Sequence, residues 1–204
     1  MGEHEVKLAI LDRDGTLIDV VRDEETGAIV VAFHPNQLKF LSKTFEGLRT
    51  LRDAGYRIAI ATNQPGPAKG QISREAVART NEALVALLAK EGITVDHVAV
   101  CMHHETGGQG GDPSLVGPCD CRKPAAGMLV ECMQKLGAKP ENTWMIGDSR
   151  GDVVAGERAG VRTAMLFDTR RCELCPLRLG PACSPSVHGA NLLAIAQAIV
   201  ATRP

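Results

Sequence analysis

A short apolar run near the start of the chain ends in two carboxylates that are one residue apart. Leu8–Leu11 is predicted to form a buried strand, and Asp12 and Asp14 follow it directly. Because side chains alternate along an extended chain, we expect both carboxylates to face the same side. Gly15 permits a sharp exit from the strand. Open α/β sheets bind ligands at the carboxyl ends of their strands, so this pattern predicts a site for a hard divalent cation and for nucleophilic or acid chemistry.

Two other interpretations of this segment are an acidic surface turn and a calcium-binding EF-hand loop. An EF-hand loop requires glycine at its sixth position, and counting from Asp12 that position is Leu17. The surface turn remains open on this segment alone.

Strand and helix patterns alternate along the rest of the chain. Alternation of this kind predicts one α/β domain over residues 1–204, Rossmann-like, with a parallel sheet flanked by helices. Residues 19–35 are predicted to be an irregular flap with a turn at Glu25–Gly27 between two extended pieces, 20–21 and 28–33. The predicted strands are 7–11, 58–61, 98–101, 143–146 and 162–166, and the predicted helices are 36–54, 73–91, 126–136, 152–159 and 190–201.

Three further segments carry chemistry-bearing residues, and two of them directly follow a predicted strand. They are Ile60–Asn63, Cys121–Pro124 and Ile146–Asp152. Taken singly, each also fits an ordinary turn, a solvated helix start or a helix N-cap. In this order, with Asp12–Thr16, the four segments resemble the motifs of the haloacid-dehalogenase (HAD) superfamily of phosphohydrolases. The resemblance covers roughly residues 6–168, and it implies a HAD fold without a large cap domain.

The resemblance implies a role for each matched residue. Asp12 would attack phosphorus and become an aspartyl phosphate, while Asp14 would act as general acid and then as general base. Mg²⁺ would be bound by Asp12, by the backbone carbonyl of Asp14 and by Asp148. Asp152 would orient Lys123 or water bound to the ion. Thr62 and Lys123 would stabilise the transferring phosphoryl group, and substrate contacts would come from Asp12, Arg13, Asp14, Thr62, Asn63, Gln64, Arg122 and Lys123.

Three cysteines and a histidine form two tight pairs at the ends of a glycine-rich loop. Cys101 and His103 stand at a predicted strand end, and Cys119 and Cys121 precede Lys123. Four ligands of this softness suit a structural Zn²⁺ ion, which would fix the loop over residues 101–121. The alternative is a set of buried free thiols with a surface imidazole. His104 could replace His103, although the C-x-H spacing favours His103.

This zinc loop resembles the branch of the superfamily that contains heptose-bisphosphate and histidinol-phosphate phosphatases. The resemblance implies Mg²⁺-dependent removal of the 7-phosphate of D-glycero-D-manno-heptose 1,7-bisphosphate, with Arg122 in contact with the substrate. The long loop between the cysteine pairs favours the heptose enzymes over a histidinol-phosphate phosphatase or another sugar phosphatase. The flap at 19–35 and Pro65 depart from the usual pattern. A zinc-stabilised binding module without catalysis is the alternative from another class.

Charge balance and composition exclude several kinds of partner. The 204-residue chain has 23 basic and 24 acidic residues and 3% aromatic residues, whereas a nucleic-acid surface needs a basic stripe and often stacking rings. No apolar run approaches membrane-spanning length, and the first residues do not resemble a signal peptide. We therefore expect a cytoplasmic monomer that acts on a small phosphorylated metabolite.

Residues 169–204 form a divergent C-terminal segment with further cysteines. Cys172 and Cys175 have the spacing of a metal knuckle, and Cys183 and His188 could complete a second zinc site. Cys132 lies on a predicted helix with Met128, Leu129 and Leu136, so we expect it in the core.

Overall fold

Six parallel strands form one sheet in a computed structural model that describes residues 5–22, 29–166 and 184–202. Within these ranges the strands are β1 (Val6–Leu11), β2 (Val21–Arg22), β3 (Ile29–Val30), β4 (Tyr56–Asn63), β5 (His97–Cys101), β6 (Ala138–Gly147), β7 (Arg162–Leu166) and β8 (Val187–Gly189). The helices are α1 (Thr44–Asp53), α2 (Arg74–Lys90), α3 (Gly127–Leu136), α4 (Arg150–Ala159) and α5 (Leu192–Ala201).

The order of the strands places β1 between β4 and β6, and the full order is β5-β4-β1-β6-β7-β8. The chain runs from β1 to β4 and β5 on one side and then crosses to β6 on the other side. At such a reversal the connections diverge and leave a crevice outside the carboxyl ends of the strands. The predicted α/β fold is confirmed, and Asp12 and Asp148 follow the two strands that border this crevice.

Both faces of the sheet are buried, as a parallel sheet requires. Along β1, Ala9 and Leu11 pack into one apolar cluster, and Leu8 and Ile10 pack into the other. The first cluster includes residues of α1, α2 and α5, and the second includes residues of α3 and α4. Cys132 is fully buried in the second cluster, which confirms its predicted core position.

The first predicted helix is wrong over its first part. A short 3-10 turn covers Pro35–Gln37, and α1 begins only at Thr44. The residues between them pair with the chain that leaves β1: Asp19 N donates to Lys39 O over 2.7 Å, and Leu41 N donates to Leu17 O over 3.0 Å. Tertiary pairing therefore overrides helix propensity in this segment.

Other elements differ from their predictions mainly in length. β6 begins five residues earlier than predicted, and α4 begins two residues earlier, at Arg150. β8 was not predicted because three residues are too short to show a period. Ser73 does cap α2, since its side chain accepts a hydrogen bond from Ala76 N.

The flap contains the two expected extended pieces, because β2 and β3 pair antiparallel. Its predicted turn at 25–27 lies outside the described residues. Within the described ranges, the connections between strands hold helices, the flap or the zinc loop, and none forms a separate cap domain. No described helix combines the length and the apolar character needed to cross a membrane.

Candidate active site

The Lys123 ammonium lies between two carboxylates at the carboxyl edge of the sheet. Its Nζ is 2.6 Å from Asp12 Oδ1 and 2.6 Å from Asp152 Oδ1, and the residue is only 6% exposed. Asp12 follows β1, Asp152 stands in the first turn of α4, and Lys123 belongs to the irregular segment before α3. Three separate parts of the chain therefore meet at one buried cation.

Burial and charge act together on the ionisable groups of this site. Burial raises the pKa of Asp12 to about 8; Lys123 opposes this shift, while repulsion from Asp152, Asp148 and Asp14 adds to it. Burial alone would lower the pKa of Lys123, but attraction to Asp12 and Asp152 outweighs burial and raises it. The lysine is therefore a fixed positive charge, and the carboxylates outnumber it.

A third carboxylate completes an acidic group suited to a cation. Oxygens of Asp12, Asp148 and Asp152 all lie within 4.8 Å of one another. Gly15, with a φ of +87°, packs so closely against the Asp148 carboxylate that a Cβ at this position would collide with it. When all three carboxylates are ionised, their charge exceeds that of one ammonium, and a hard divalent cation with oxygen ligands would offset the excess.

Asp152 also fixes the start of α4. Its Oδ2 accepts hydrogen bonds from the backbone N–H of Ser149 over 3.1 Å and from the Ser149 hydroxyl over 2.5 Å. This is a capping box in which Ser149 is the N-cap and Asp152 is the N3 residue. One carboxylate therefore joins the helix terminus to Lys123.

The Asp14 carboxylate is bound by a different cation. Arg13 Nε donates to Asp14 Oδ2 over 2.8 Å and Arg13 Nη2 donates to Oδ1 over 3.2 Å, while Ala32 N donates to Oδ1 over 3.1 Å. Arg13 also donates to Asn81 Oδ1 over 2.7 Å and to Ala32 O over 2.9 Å. The guanidinium is 0% exposed. The Arg13 side chain is thus enclosed by protein, and its expected substrate contact stays a prediction.

Gln64 likewise faces the protein. Its Nε2 donates to Asp14 Oδ2 and to Thr62 Oγ1, each over 2.8 Å, and the residue is only 1% exposed. The expected substrate contact of Gln64 stays a prediction. Because Thr62 Oγ1 accepts from Gln64, the Thr62 hydroxyl proton points away from Gln64.

Asn63 forms two hydrogen bonds with the backbone of Lys123. Its Nδ2 donates to Lys123 O over 3.0 Å, and its Oδ1 accepts from Lys123 N over 3.1 Å. Both polar atoms of the amide are thus engaged by the protein. The neighbouring Arg122 is partly buried, and its Nη1 donates to His103 O over 3.2 Å.

The four zinc candidates come together as one cluster. Cys101, His103, Cys119 and Cys121 place their ligand atoms within 4.8 Å of one another. A tetrahedral ion with Zn–S distances of about 2.3 Å separates its sulfurs by about 3.8 Å. Cys101 and Cys119 have that separation, 3.8 Å, whereas Cys101 and Cys121 are 2.8 Å apart and would have to open by roughly 1 Å.

The choice between the two adjacent histidines follows from their hydrogen bonds. His103 Nδ1 lies 3.5 Å from Cys121 Sγ and 3.9 Å from Cys101 Sγ. His104 Nδ1 instead accepts from Gly107 N over 3.1 Å, inside the loop. The geometry therefore favours His103 as the fourth ligand.

The zinc loop packs on the turn that follows β4. Asp112 N donates to Pro67 O over 2.9 Å, and Arg74 Nε donates to Asp112 Oδ2 over 2.8 Å. Gly111 approaches the Ala68 carbonyl so closely that a Cβ would collide with it. Gly108 and Gly111 are thus required where the loop touches the backbone of Lys69 and Ala68, in the turn after β4.

Two site residues were missed from sequence, Asn81 and Ala32. Asn81 lies on the buried face of α2 with Val77, Leu84 and Leu88. A polar residue within such an apolar stripe can be recognised in the sequence, and it indicates a buried hydrogen-bonding role. Ala32 acts through its backbone, which leaves no trace in the side-chain pattern. Of the second zinc group, Cys172, Cys175 and Cys183 lie outside the described residues, and His188 is exposed on β8.

Comparison with known proteins identifies relatives over most of the chain. A phosphatase of Pasteurella multocida named D-glycero-beta-D-manno-heptose-1,7-bisphosphate 7-phosphatase is 34% identical over 164 residues, which are 80% of this chain and 82% of that protein. This chain belongs to the family of heptose-bisphosphate phosphatases within the HAD superfamily. A Photorhabdus laumondii member, named for the alpha anomer, is 32% identical over 83% of this chain and 86% of its own length. The HAD-hydrolase-like family model matches residues 120–168.

The fold comparison agrees with this membership. The crystal structure of a D,D-heptose 1,7-bisphosphate phosphatase from B. bronchiseptica, complexed with magnesium and phosphate, superposes with a TM-score of 0.75. It is 24% identical, and the match covers 96% of this chain and 98% of that one. At this identity the likeness concerns the fold.

We predict that Arg13→Met destabilises the protein by about 3–5 kcal/mol, because it leaves the buried Asp14 carboxylate without its cation. Unfolding in urea with Mg²⁺ present measures this loss.

The matched control is Arg49→Met. The Arg49 side chain is 47% exposed and pairs with Glu91, so its loss is expected to change stability by less than about 1 kcal/mol. Equal effects of the two substitutions would contradict the structural role of Arg13.

Proposed function

We propose that this protein removes the 7-phosphate from D-glycero-D-manno-heptose 1,7-bisphosphate through an aspartyl-phosphate intermediate. The observation that carries the proposal is the position of Asp12 at the crevice, in contact with buried Lys123 and grouped with Asp148 and Asp152. The names of relatives that are 30–34% identical over most of the chain supply the substrate.

Mg²⁺ fits the donor set at the crevice. Asp12 and Asp148 would bind it through carboxylate oxygens, and Asp14 would join them through its backbone carbonyl. When bound, the ion offsets the repulsion between the Asp12 carboxylate and a phosphate dianion. Because its charge also opposes the burial that raises the pKa of Asp12, the carboxylate would be ionised when the ion is present.

The chain's own residues account for the two chemical steps. In the first step, Asp12 forms a bond to phosphorus as the bond from phosphorus to the C7 oxygen breaks, and Asp14 gives its proton to that oxygen. In the second step, Asp14 takes a proton from water, the water oxygen bonds to phosphorus, and inorganic phosphate leaves Asp12. Lys123 and the Thr62 hydroxyl stabilise the phosphoryl oxygens in both steps.

The surrounding residues hold these groups in position. Arg13, Gln64 and the Ala32 N–H bind the Asp14 carboxylate, and Gln64 also orients Thr62. The Thr62 hydroxyl is thereby a fixed donor that can act without rearrangement, whereas Asp14 has to release one of these hydrogen bonds before it can carry a proton to the leaving oxygen.

A substrate panel tests the proposed function. The panel contains phosphorylated sugars and histidinol phosphate, and Mg²⁺ is present. We expect at least one anomer of the heptose bisphosphate to give a higher kcat/KM than every other substrate. The relatives carry either anomer in their names, so both belong in the panel. A preference for histidinol phosphate would replace the heptose assignment, and no turnover of any phosphate ester would favour a zinc-stabilised binding module.

We predict that Asp12→Asn lowers kcat at least about a thousandfold, because the amide keeps the size of the side chain but cannot form the acyl phosphate. Steady-state assays with Mg²⁺ measure the loss, and circular dichroism checks the fold. Asp53→Asn, the same change at an exposed position at the end of α1, serves as the control. More than about a thousandth of the wild-type rate in Asp12→Asn would exclude the nucleophilic role.

We predict one tightly bound Zn²⁺ per chain at Cys101, His103, Cys119 and Cys121. Chelation is expected to lower stability and to loosen the zinc loop from the turn after β4 before it affects the Mg²⁺ site. Elemental analysis of the purified protein gives the count.

Cys119→Ser should abolish zinc binding, whereas Cys132→Ala, at a thiol in the core, should leave the zinc content unchanged. Zinc-free wild-type protein would refute the assignment. Two ions per chain would instead point to the group of Cys172, Cys175, Cys183 and His188.

We predict that Arg122 binds the second phosphate of the substrate. Its planar fork can bind phosphate oxygens in a bidentate manner that lysine cannot reproduce. Arg122→Lys should lower kcat/KM about ten- to a hundredfold for the bisphosphate, with a much smaller effect on a monophosphate of the same sugar.

Arg158→Lys provides the control for this substitution, because Arg158 Nη1 also donates to a nearby backbone carbonyl, that of Pro124, over 2.9 Å. Equal losses for both substrates in Arg122→Lys would show that Arg122 does not contact the remote phosphate.

The proposal also includes a cytoplasmic monomer, which gel filtration and cell fractionation can check.

A further inference from the structure

Asn63 and Lys123 are 60 residues apart and are joined by a reciprocal pair of hydrogen bonds. We propose that Asn63 is a positioning residue for Lys123, because its side-chain amide fixes the lysine backbone. This inference rests on the proposed function, in which Lys123 stabilises the transferring phosphoryl group.

The first argument is that both polar atoms of the Asn63 amide are bonded to Lys123. Its Nδ2 donates one of its two N–H groups to Lys123 O and its Oδ1 accepts from Lys123 N, so the two bonds fix the orientation of the amide against the lysine backbone. An aspartate could accept from Lys123 N but could not donate to Lys123 O. Asparagine is therefore matched to both partners.

The second argument is the accuracy that Lys123 requires. Its Nζ contacts Asp12 and Asp152 at 2.6 Å each, at the end of a long side chain with many rotamers. Such a side chain reaches both carboxylates only if its backbone is held in one place. A displacement of about 1 Å in a reacting group can lower a rate about a hundredfold.

The third argument is that Lys123 lies outside regular secondary structure. It stands between the zinc cluster and the start of α3, where local bonds run from Ala125 N to Arg122 O and from Gly127 N to Asp120 O. These bonds shape the segment but do not attach it to the sheet. Attachment to the sheet requires partners on the strands.

Asn63 and the zinc cluster supply that attachment from neighbouring strands. Asn63 ends β4 and pairs in register with Cys101, which ends β5. Cys101 in turn contacts Cys119 and Cys121, the latter two residues before Lys123. Both attachments hold the segment to the sheet, and Asn63 is bonded to the backbone of Lys123 itself.

A double-mutant cycle separates positioning from direct contact. The kcat/KM for the heptose bisphosphate is measured with Mg²⁺ for wild type, Asn63→Ala, Lys123→Ala and the double variant, each with its zinc content recorded. We expect Asn63→Ala to lower kcat/KM about ten- to a hundredfold in the wild-type background. In the Lys123→Ala background it should cause less than about a threefold further loss, because its target is gone.

A control variant separates the role of Asn63 from a general effect on folding. A second measurement, hydrogen exchange, tests the role without any need for turnover. Asn142→Ala is the control, because Asn142 is also partly buried and donates its Nδ2 to Glu5. Amide hydrogen exchange of the full zinc-loaded chain, followed by NMR, reports the Lys123 N–H directly. Exchange there should be about tenfold faster or more in Asn63→Ala, and protection should be better retained in Asn63→Asp, which keeps the acceptor.

Two results would overturn the positioning role. One is that the losses in kcat/KM add fully in the double variant. The other is that exchange of the Lys123 amide is unchanged in Asn63→Ala. A wild-type protein that hydrolyses no phosphate ester would count against the proposed function. In that case the exchange measurement would still decide whether Asn63 holds Lys123.

Discussion

The ion pair of Lys123 with Asp12 and Asp152 is the interaction on which the rest of the site depends. A buried ammonium is tolerated only where opposite charges and hydrogen bonds replace water. Here the partners come from the end of β1 and from the first turn of α4, so the lysine joins elements that are distant in sequence. Because Asp152 also caps α4 through Ser149, the position of that helix and the position of the cation are coupled.

Asp12 and Asp14 are one residue apart but are bound to different cations. Asp12 contacts Lys123, whose charge faces the crevice, whereas Asp14 is bound by Arg13, which is enclosed by the flap and α2. Different surroundings are the general means by which two neighbouring carboxylates acquire different roles. The proposed roles, nucleophile for Asp12 and acid/base for Asp14, rest on these separate partners.

The loop over residues 101–121 packs on the turn after β4. Gly108 and Gly111 allow the backbone to lie directly on that turn, and the cysteine cluster ends two residues before Lys123. Packing of the loop and placement of the lysine are thus parts of one arrangement. A metal at the cluster would stabilise both, since ligand binding to the folded state adds to its stability.

The sequence by itself determined the parallel α/β fold, the elements that carry Asp12, Lys123 and Asp148, and the pairing of Cys101 and His103 with Cys119 and Cys121. Each of these depends on the periodicity of apolar residues or on the short spacing between residues, and both can be seen directly in the sequence. Only the tertiary structure decided where the polar groups point. Arg13, Asn63 and Gln64 have the residue types of substrate ligands, yet their hydrogen bonds go to Asp14, to the backbone of Lys123 and to Thr62. These partners lie up to 60 residues away, and the start of α1 likewise depends on pairing with the chain after β1. Such contacts follow from packing across the sheet, so no local pattern in the sequence encodes them.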